Sequence, residues 1–159
     1  MVEGIEKGKE YVMQNVLSLR KKRTVAEFQA EASRLSQFIE QNKLKKSGAT
    51  VSTTWNADIV NGVQVLDTEL LIPLDKEFSP PEGCVKKELF VLTNAVMIRH
   101  VGNPALLQEK INLLTTYISE NKMVAITPAY IVTVNEMTRQ KDSDNSVIDV
   151  YVGISPNKL

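Results

Sequence analysis

YVMQNVLSLRKKRTVAEFQAEASRLSQFIEQNKL, residues 11–44, falls on FVLTNAVMIRHVGNPALLQEKINLLTTYISENKM, residues 90–123, when the chain is displaced by 79 residues. No gap is needed. Val12 meets Val91, Asn15 meets Asn94, Arg20 meets Arg99, Gln29 meets Gln108, Leu35 meets Leu114 and Ile39 meets Ile118. Apolar positions face apolar ones between these identities, as in Phe28 with Leu107 and Leu44 with Met123. The frame continues to Val51 on Tyr130 and Asn56 on Asn135. A further shift of about three residues, placed in a polar loop where insertions cost little, sets Asp67 on Asp149. An internal repeat of this length fixes the fold before any single element is considered.

Each copy reads strand, helix, strand, strand. Residues 11–19 place Tyr11, Met13, Leu17 and Leu19 on one face at the period of two that a strand requires. Thr24 followed by Glu27 makes a capping box, in which two side chains satisfy free amides at a helix start. Val25, Phe28, Ala32, Leu35 and Ile39 then recur at helical spacing, and Asn42 ends the helix. Residues 49–56 and 63–73 are predicted strands joined by a turn at Asn61-Gly62. In the second copy the strand over 88–99 runs to Asn103-Pro104, a cap followed by a proline suited to the first helical turn. Leu107, Ile111, Leu114 and Ile118 form the helical stripe, and strands over 128–137 and 147–154 flank a polar loop at 138–146. Residues 77–83 are a stiff, proline-rich linker between halves 8–76 and 84–156. The expectation is a single α+β domain, 1–159: a tandem duplication of a β-α-β-β unit, with an antiparallel sheet, two helices on one face and a groove along the pseudo-twofold seam.

Composition limits function. Of 159 residues, 43% are hydrophobic and 24% charged, the values of a folded globular chain. Nineteen Lys and Arg balance nineteen Asp and Glu, without the basic excess of a nucleic-acid binder, so direct nucleic-acid binding is not expected. The run Arg20-Lys21-Lys22-Arg23 reads as a solvated strand-to-helix loop. Cys84 and His100 are the only cysteine and histidine, too few for a Cys/His zinc site or for a nucleophile–His arrangement. Cys84 reads as a chance thiol and His100 as a polar loop residue. There is no glycine-rich phosphate loop. No cofactor or metal is implied. No apolar run reaches membrane-span length and the first ten residues lack a signal-peptide core, so the expected setting is cytoplasmic, away from membrane.

The strand Asp67-Thr68-Glu69-Leu70-Leu71-Ile72-Pro73-Leu74 and the segment Thr127-Pro128-Ala129-Tyr130, set in two β-α-β-β copies, resemble the GyrI-like superfamily over residues 8–156. That superfamily includes the effector-binding domains of bacterial multidrug-responsive regulators and small stand-alone proteins. The resemblance implies a ligand cavity between the halves, lined by aromatic rings and a buried carboxylate, for bulky and often cationic or aromatic molecules. Here the matching candidates are Trp55, Tyr130 and Tyr151 for the rings and Glu69 for the charge. Ordinary alternatives stand beside these: Glu69 as a solvent-facing strand residue, Trp55 and Tyr130 as core aromatics, and the matching Asp67 and Asp149 as exposed strand residues or turn anchors. Tyr151 is read as groove-facing, on the opposite side of its strand from Val150 and Val152.

Two departures from the family matter. Many members carry a glutamate soon after the second-hairpin aromatic, whereas Tyr130 is followed by Ile131-Val132-Thr133, which points toward an uncharged ligand or none. Residues 1–10 are also too short for a helix-turn-helix, so the chain is expected to act without a DNA-binding module. Three functions compete: a stand-alone domain binding a bulky hydrophobic or aromatic small molecule; a protein-interaction or sequestering partner, as in a toxin or secretion locus; and a small hydrolase using Glu69 with Tyr130 or Tyr151.

Overall fold

The computed structural model describes residues 4–134 and 146–155. The predicted strand end at 135–137 and nearly all of the predicted loop at 138–146 lie outside the described residues. Six strands and two α-helices are found among those described: β1 (Ile5–Arg23), α1 (Val25–Gln41), β2 (Val51–Val60), β3 (Val63–Pro73), β4 (Val85–Val101), α2 (Leu107–Glu120), β5 (Tyr130–Thr133) and β6 (Val147–Gly153). A single 3-10 turn, Pro104–Leu106, precedes α2. The class is α+β with antiparallel pairing.

The chain divides into two compact units. One comprises Met13–Phe90, where β3 lies between β1 and β2 and pairs antiparallel with both. α1 starts at the predicted capping box: Thr24 Oγ1 accepts from the Glu27 amide at 3.2 Å, and the Glu27 carboxylate accepts from the Thr24 amide at 2.9 Å. Leu35 and Ile39 of the helical stripe pack on Leu17 and Leu19 of β1 and on Leu70, Ile72 and Leu74. β2 and β3 meet at Asn61 and Gly62, both left-handed (φ 52° and 79°), as a two-residue hairpin turn demands. From Thr68 to Leu74 every residue is buried, on both faces of the strand.

The other unit comprises Met1–Val12 with Val91–Leu159, and here β6 lies between β4 and β5. Leu114 and Ile118 of α2 pack on Val96, Ile98, Val150, Val152 and Ile154. Asn103 caps the 3-10 turn by accepting from the Ala105 amide at 3.0 Å, and Pro104 begins it.

Matching details recur 79 or 80 residues apart. Asn15 and Asn94 both take left-handed backbone (φ 53° and 50°), as do Lys43 and Lys122 (φ 56° and 55°). The Leu74 amide donates to the Asn15 carbonyl and the Ile154 amide to that of Asn94. Asn42 and Asn121 each end a helix by donating from Nδ2 to a carbonyl four residues back, at 2.8 Å. Asparagine tolerates the left-handed backbone of Asn15 and Asn94, where a residue with an ordinary Cβ pays about 1–2 kcal/mol. Asn15→Ala is therefore expected to lower stability by roughly 1 kcal/mol and Asn15→Gly by less, read from urea unfolding midpoints.

Three expectations need correction. The basic run at 20–23 is the end of β1, not a solvated loop, and Arg23 is buried to 2% exposure. His100 lies within β4 and is buried, with Nε2 2.8 Å from the Asn103 carbonyl. The register also replaces the three-residue shift with a single one: Arg20 stands opposite Glu69 and Arg99 opposite Asp149, so Asp149 corresponds to Glu69 rather than to Asp67.

Candidate functional site

Glu69 and Trp55 are brought into direct contact by a local irregularity. Thr54 is opposite Thr68, yet Asn56 is opposite Asp67, so Trp55 is the extra residue of a β-bulge. A bulge re-aims a side chain, and here the indole Nε1–H donates to Glu69 Oε1 at 3.1 Å. Ser18 Oγ of β1 and Lys87 Nζ of β4 each donate to Glu69 Oε2 at 2.7 Å. The Arg20 guanidinium lies 4.4 Å from the centre of the Trp55 ring, a cation–π distance.

Glu69 is 3% exposed, so the reading of it as a solvent-facing strand residue does not hold. Burial pushes its carboxyl up, but the hydrogen bonds from Lys87, Ser18 and Trp55, with the Lys87 charge, pull harder and leave it below its ordinary value. The group is a buried anion. Its counter-ion is less confined: the Lys87 side chain is 38% exposed, and Trp55 is 39% exposed. A carboxylate whose folded pKa is depressed adds stability that is complete above the unfolded value and lost as pH falls through the folded one. Stability is thus expected to decline as pH drops below the ordinary carboxylate value of 4.5, and Glu69→Gln to flatten that decline in a pH series of urea midpoints.

Tyr130 and Tyr151 belong to the other unit, where they are register partners across β5 and β6. Both are buried, so Tyr151 is not an open groove residue; Val150 and Val152 beside it are buried as well. The Tyr151 ring packs on Tyr11 at 5.3 Å between centroids. Burial, then the charge of Asp149, raise both hydroxyls above the usual tyrosine range. Asp149, expected to be exposed, is buried and paired with Arg99 through two bonds of 2.7 and 2.9 Å. Asp67 forms the looser counterpart with Arg20, at 3.2 and 3.0 Å. Each unit thus holds a buried carboxylate at the same register position, one neutralised by a lysine and the other by an arginine.

Sequence reasoning missed Ser18, Lys87, Tyr11 and the Arg99–Asp149 pair. The repeated Arg20 and Arg99 were the available signal. Lys87 carried none, because it lies outside the aligned segment.

No protein-family model matches the chain, and no curated protein matches it in sequence. Solved structures do match. The C-terminal domain of EcmrR superposes with a TM-score of 0.72 at 11% identity, covering 95% of each chain. The chain has the GyrI-like fold. EcmrR in its DNA complex gives a TM-score of 0.74 at 12% identity over 96% of this chain, which spans 58% of the EcmrR chain. SAV2435 bound to tetraphenylphosphonium gives 0.50 at 9% identity, covering 98% of this chain and 95% of that one. Within the unit Met13–Phe90, the bulged Trp55, the buried Glu69, Lys87 and Arg20 bring an indole, a carboxylate and two cations together. None of the helices among the described residues is long and apolar enough to cross a membrane.

Proposed function

We propose that the chain is a small-molecule-binding domain that recognises a bulky aromatic cation through Glu69 and Trp55. The observation that carries the reading is a buried carboxylate held anionic by a half-exposed lysine. An anion removed from water must keep a positive partner, because leaving it unpaired costs about 3–5 kcal/mol. Lys87 supplies that partner and has solvent to retreat into. An organic cation taking its place keeps Glu69 compensated and adds aromatic surface beside the indole. The absence of a glutamate after Tyr130 does not weaken this, since Glu69 provides the charge. A protein of the same fold bound to tetraphenylphosphonium supports the ligand class. The lowered pKa of Glu69 suits charge recognition better than proton transfer, which needs a group poised near working pH.

The test is a thermal-shift panel. Tetraphenylphosphonium at about one hundred times its dissociation constant should add roughly 2.7 kcal/mol, several degrees for a domain of this size. Neutral triphenylphosphine oxide should add far less, and Glu69→Gln should lose the cation response. Equal shifts from the cation and the neutral compound would remove Glu69 from recognition. A second reading, a protein-interaction module, draws on the β2–β3 hairpin tip, where Ile59, Val60 and Val63 are all exposed. A panel without any shift would favour it.

A further inference from the structure

A separate cavity of about 190 Å³ lies at the start of α1, lined by Arg23, Val25, Phe28, Leu66, Thr68 and the hydroxyl-bearing Thr24 and Ser52–Thr54 stretch. It is on the other face of β3 from the Glu69 cluster, because Thr68 and Glu69 are neighbours in one strand and point to opposite sides. Arg23 is the unusual member. Its guanidinium turns one edge onto the sheet: Nε donates to Thr68 Oγ1 at 3.3 Å, and Nη2 to the carbonyls of Thr68 at 3.2 Å and Leu19 at 3.3 Å. The guanidinium carbon lies over the Phe28 ring, 5.1 Å from its centre. The third nitrogen, Nη1, is buried and has no hydrogen-bond partner. A buried cationic donor left unsatisfied is costly, and native structures rarely keep one without use.

We propose that this cavity is a binding site for a fragment-sized monocarboxylate with an apolar body, whose carboxylate accepts from Arg23 Nη1. Three features favour an anion there. The guanidinium is permanently charged and suited to carboxylates. The positive end of the α1 dipole points to the same place. The carboxylates within electrostatic reach of Arg23 are already engaged, Glu27 with the Thr24 amide, Glu31 with Arg34 and Asp67 with Arg20. Val25, Phe28 and Leu66 offer the apolar lining. The volume lies below the roughly 300–1,000 Å³ of drug-sized pockets, which restricts the ligand to a fragment. The site is particular to one unit: at the 79-residue displacement, Arg23 corresponds to Gly102 and Phe28 to Leu107.

The test uses sodium benzoate on the full chain, followed by NMR of the Arg23 Nε–H and the Val25 and Ala26 amides. Saturable shifts are expected with benzoate. Benzamide, the neutral isostere, should bind at least tenfold more weakly, and sodium chloride at equal ionic strength should give no saturable shift. Arg23→Met should weaken benzoate at least tenfold while leaving the tetraphenylphosphonium response intact, so that this site and the Glu69 site fail independently. If that variant does not fold, the wild-type comparison still decides. Equal binding of benzamide, shifts reproduced by chloride, or no saturable shift at all would overturn the proposal.

Discussion

Arg99→Ala is expected to destabilise the protein by about 3 kcal/mol, whereas Arg20→Ala should cost less than 1 kcal/mol. The two arginines occupy the same place in their units and both grip an aspartate, but the acids differ in burial. The Asp149 side chain is 6% exposed and that of Asp67 15%. Removing one partner of a buried pair leaves an uncompensated charge, at about 3–5 kcal/mol. The lower end applies here, because Arg99 is itself 53% exposed and water reaches the vacated place. Asp67 is nearer to solvent and its pair belongs to the surface class of roughly 0–1 kcal/mol. At about 2–4 °C per kcal/mol for a chain of this size, the first variant should melt about 6–12 °C below wild type and the second within about 4 °C. Asp149→Asn should fall between them, since the amide leaves no buried charge. Calorimetry of the three variants checks the order, and equal losses for both arginines would refute it.

Lys87→Met is expected to raise affinity for tetraphenylphosphonium about tenfold while lowering the stability of the free protein by about 1–2 kcal/mol. The lysine competes with an incoming cation for Glu69 Oε2, to which it donates at 2.7 Å. Without it, Ser18 and Trp55 still hold the carboxylate, but the charge lacks a counter-ion. Part of that cost is relieved by water, because Lys87 is half-exposed, so the loss is discounted from the value for a fully buried pair. Binding then restores what the substitution removed. Tighter binding with lower stability is the paired outcome; isothermal titration and urea unfolding measure the two halves. Unchanged or weaker affinity would show that Lys87 does not occupy the ligand's place.

The secondary structure was legible because local chemistry agreed with the fold. The Thr24–Glu27 capping box, the Asn61-Gly62 turn and the leucine stripes on both helices each state one outcome in sequence, and each appears in the structure. The polar first ten residues hid the early start of β1 at Ile5, since none of residues 5–10 is buried and Glu6, Lys7, Lys9 and Glu10 leave no apolar alternation to read. The register of β6 was misplaced by two residues because identical aspartates, Asp67 and Asp149, drew the alignment, while the backbone places Asp149 level with Glu69. The site was half legible. Trp55 and Glu69 were named for a family resemblance, but their contact depends on a bulge that no periodicity reveals. Burial of Arg23 was equally hidden, since one member of a four-residue basic run looks like the others until Thr68 and Phe28 close around it.

Trp55 is the only tryptophan, and its indole touches the proposed recognition group, so tryptophan fluorescence reports on that site. Titration of the wild-type protein with tetraphenylphosphonium, beside Glu69→Gln, is the most direct test. A saturable change in emission that disappears or weakens at least tenfold in Glu69→Gln is the predicted result. A saturable change of equal affinity in both proteins, or none in either, would contradict recognition of a cation by Glu69.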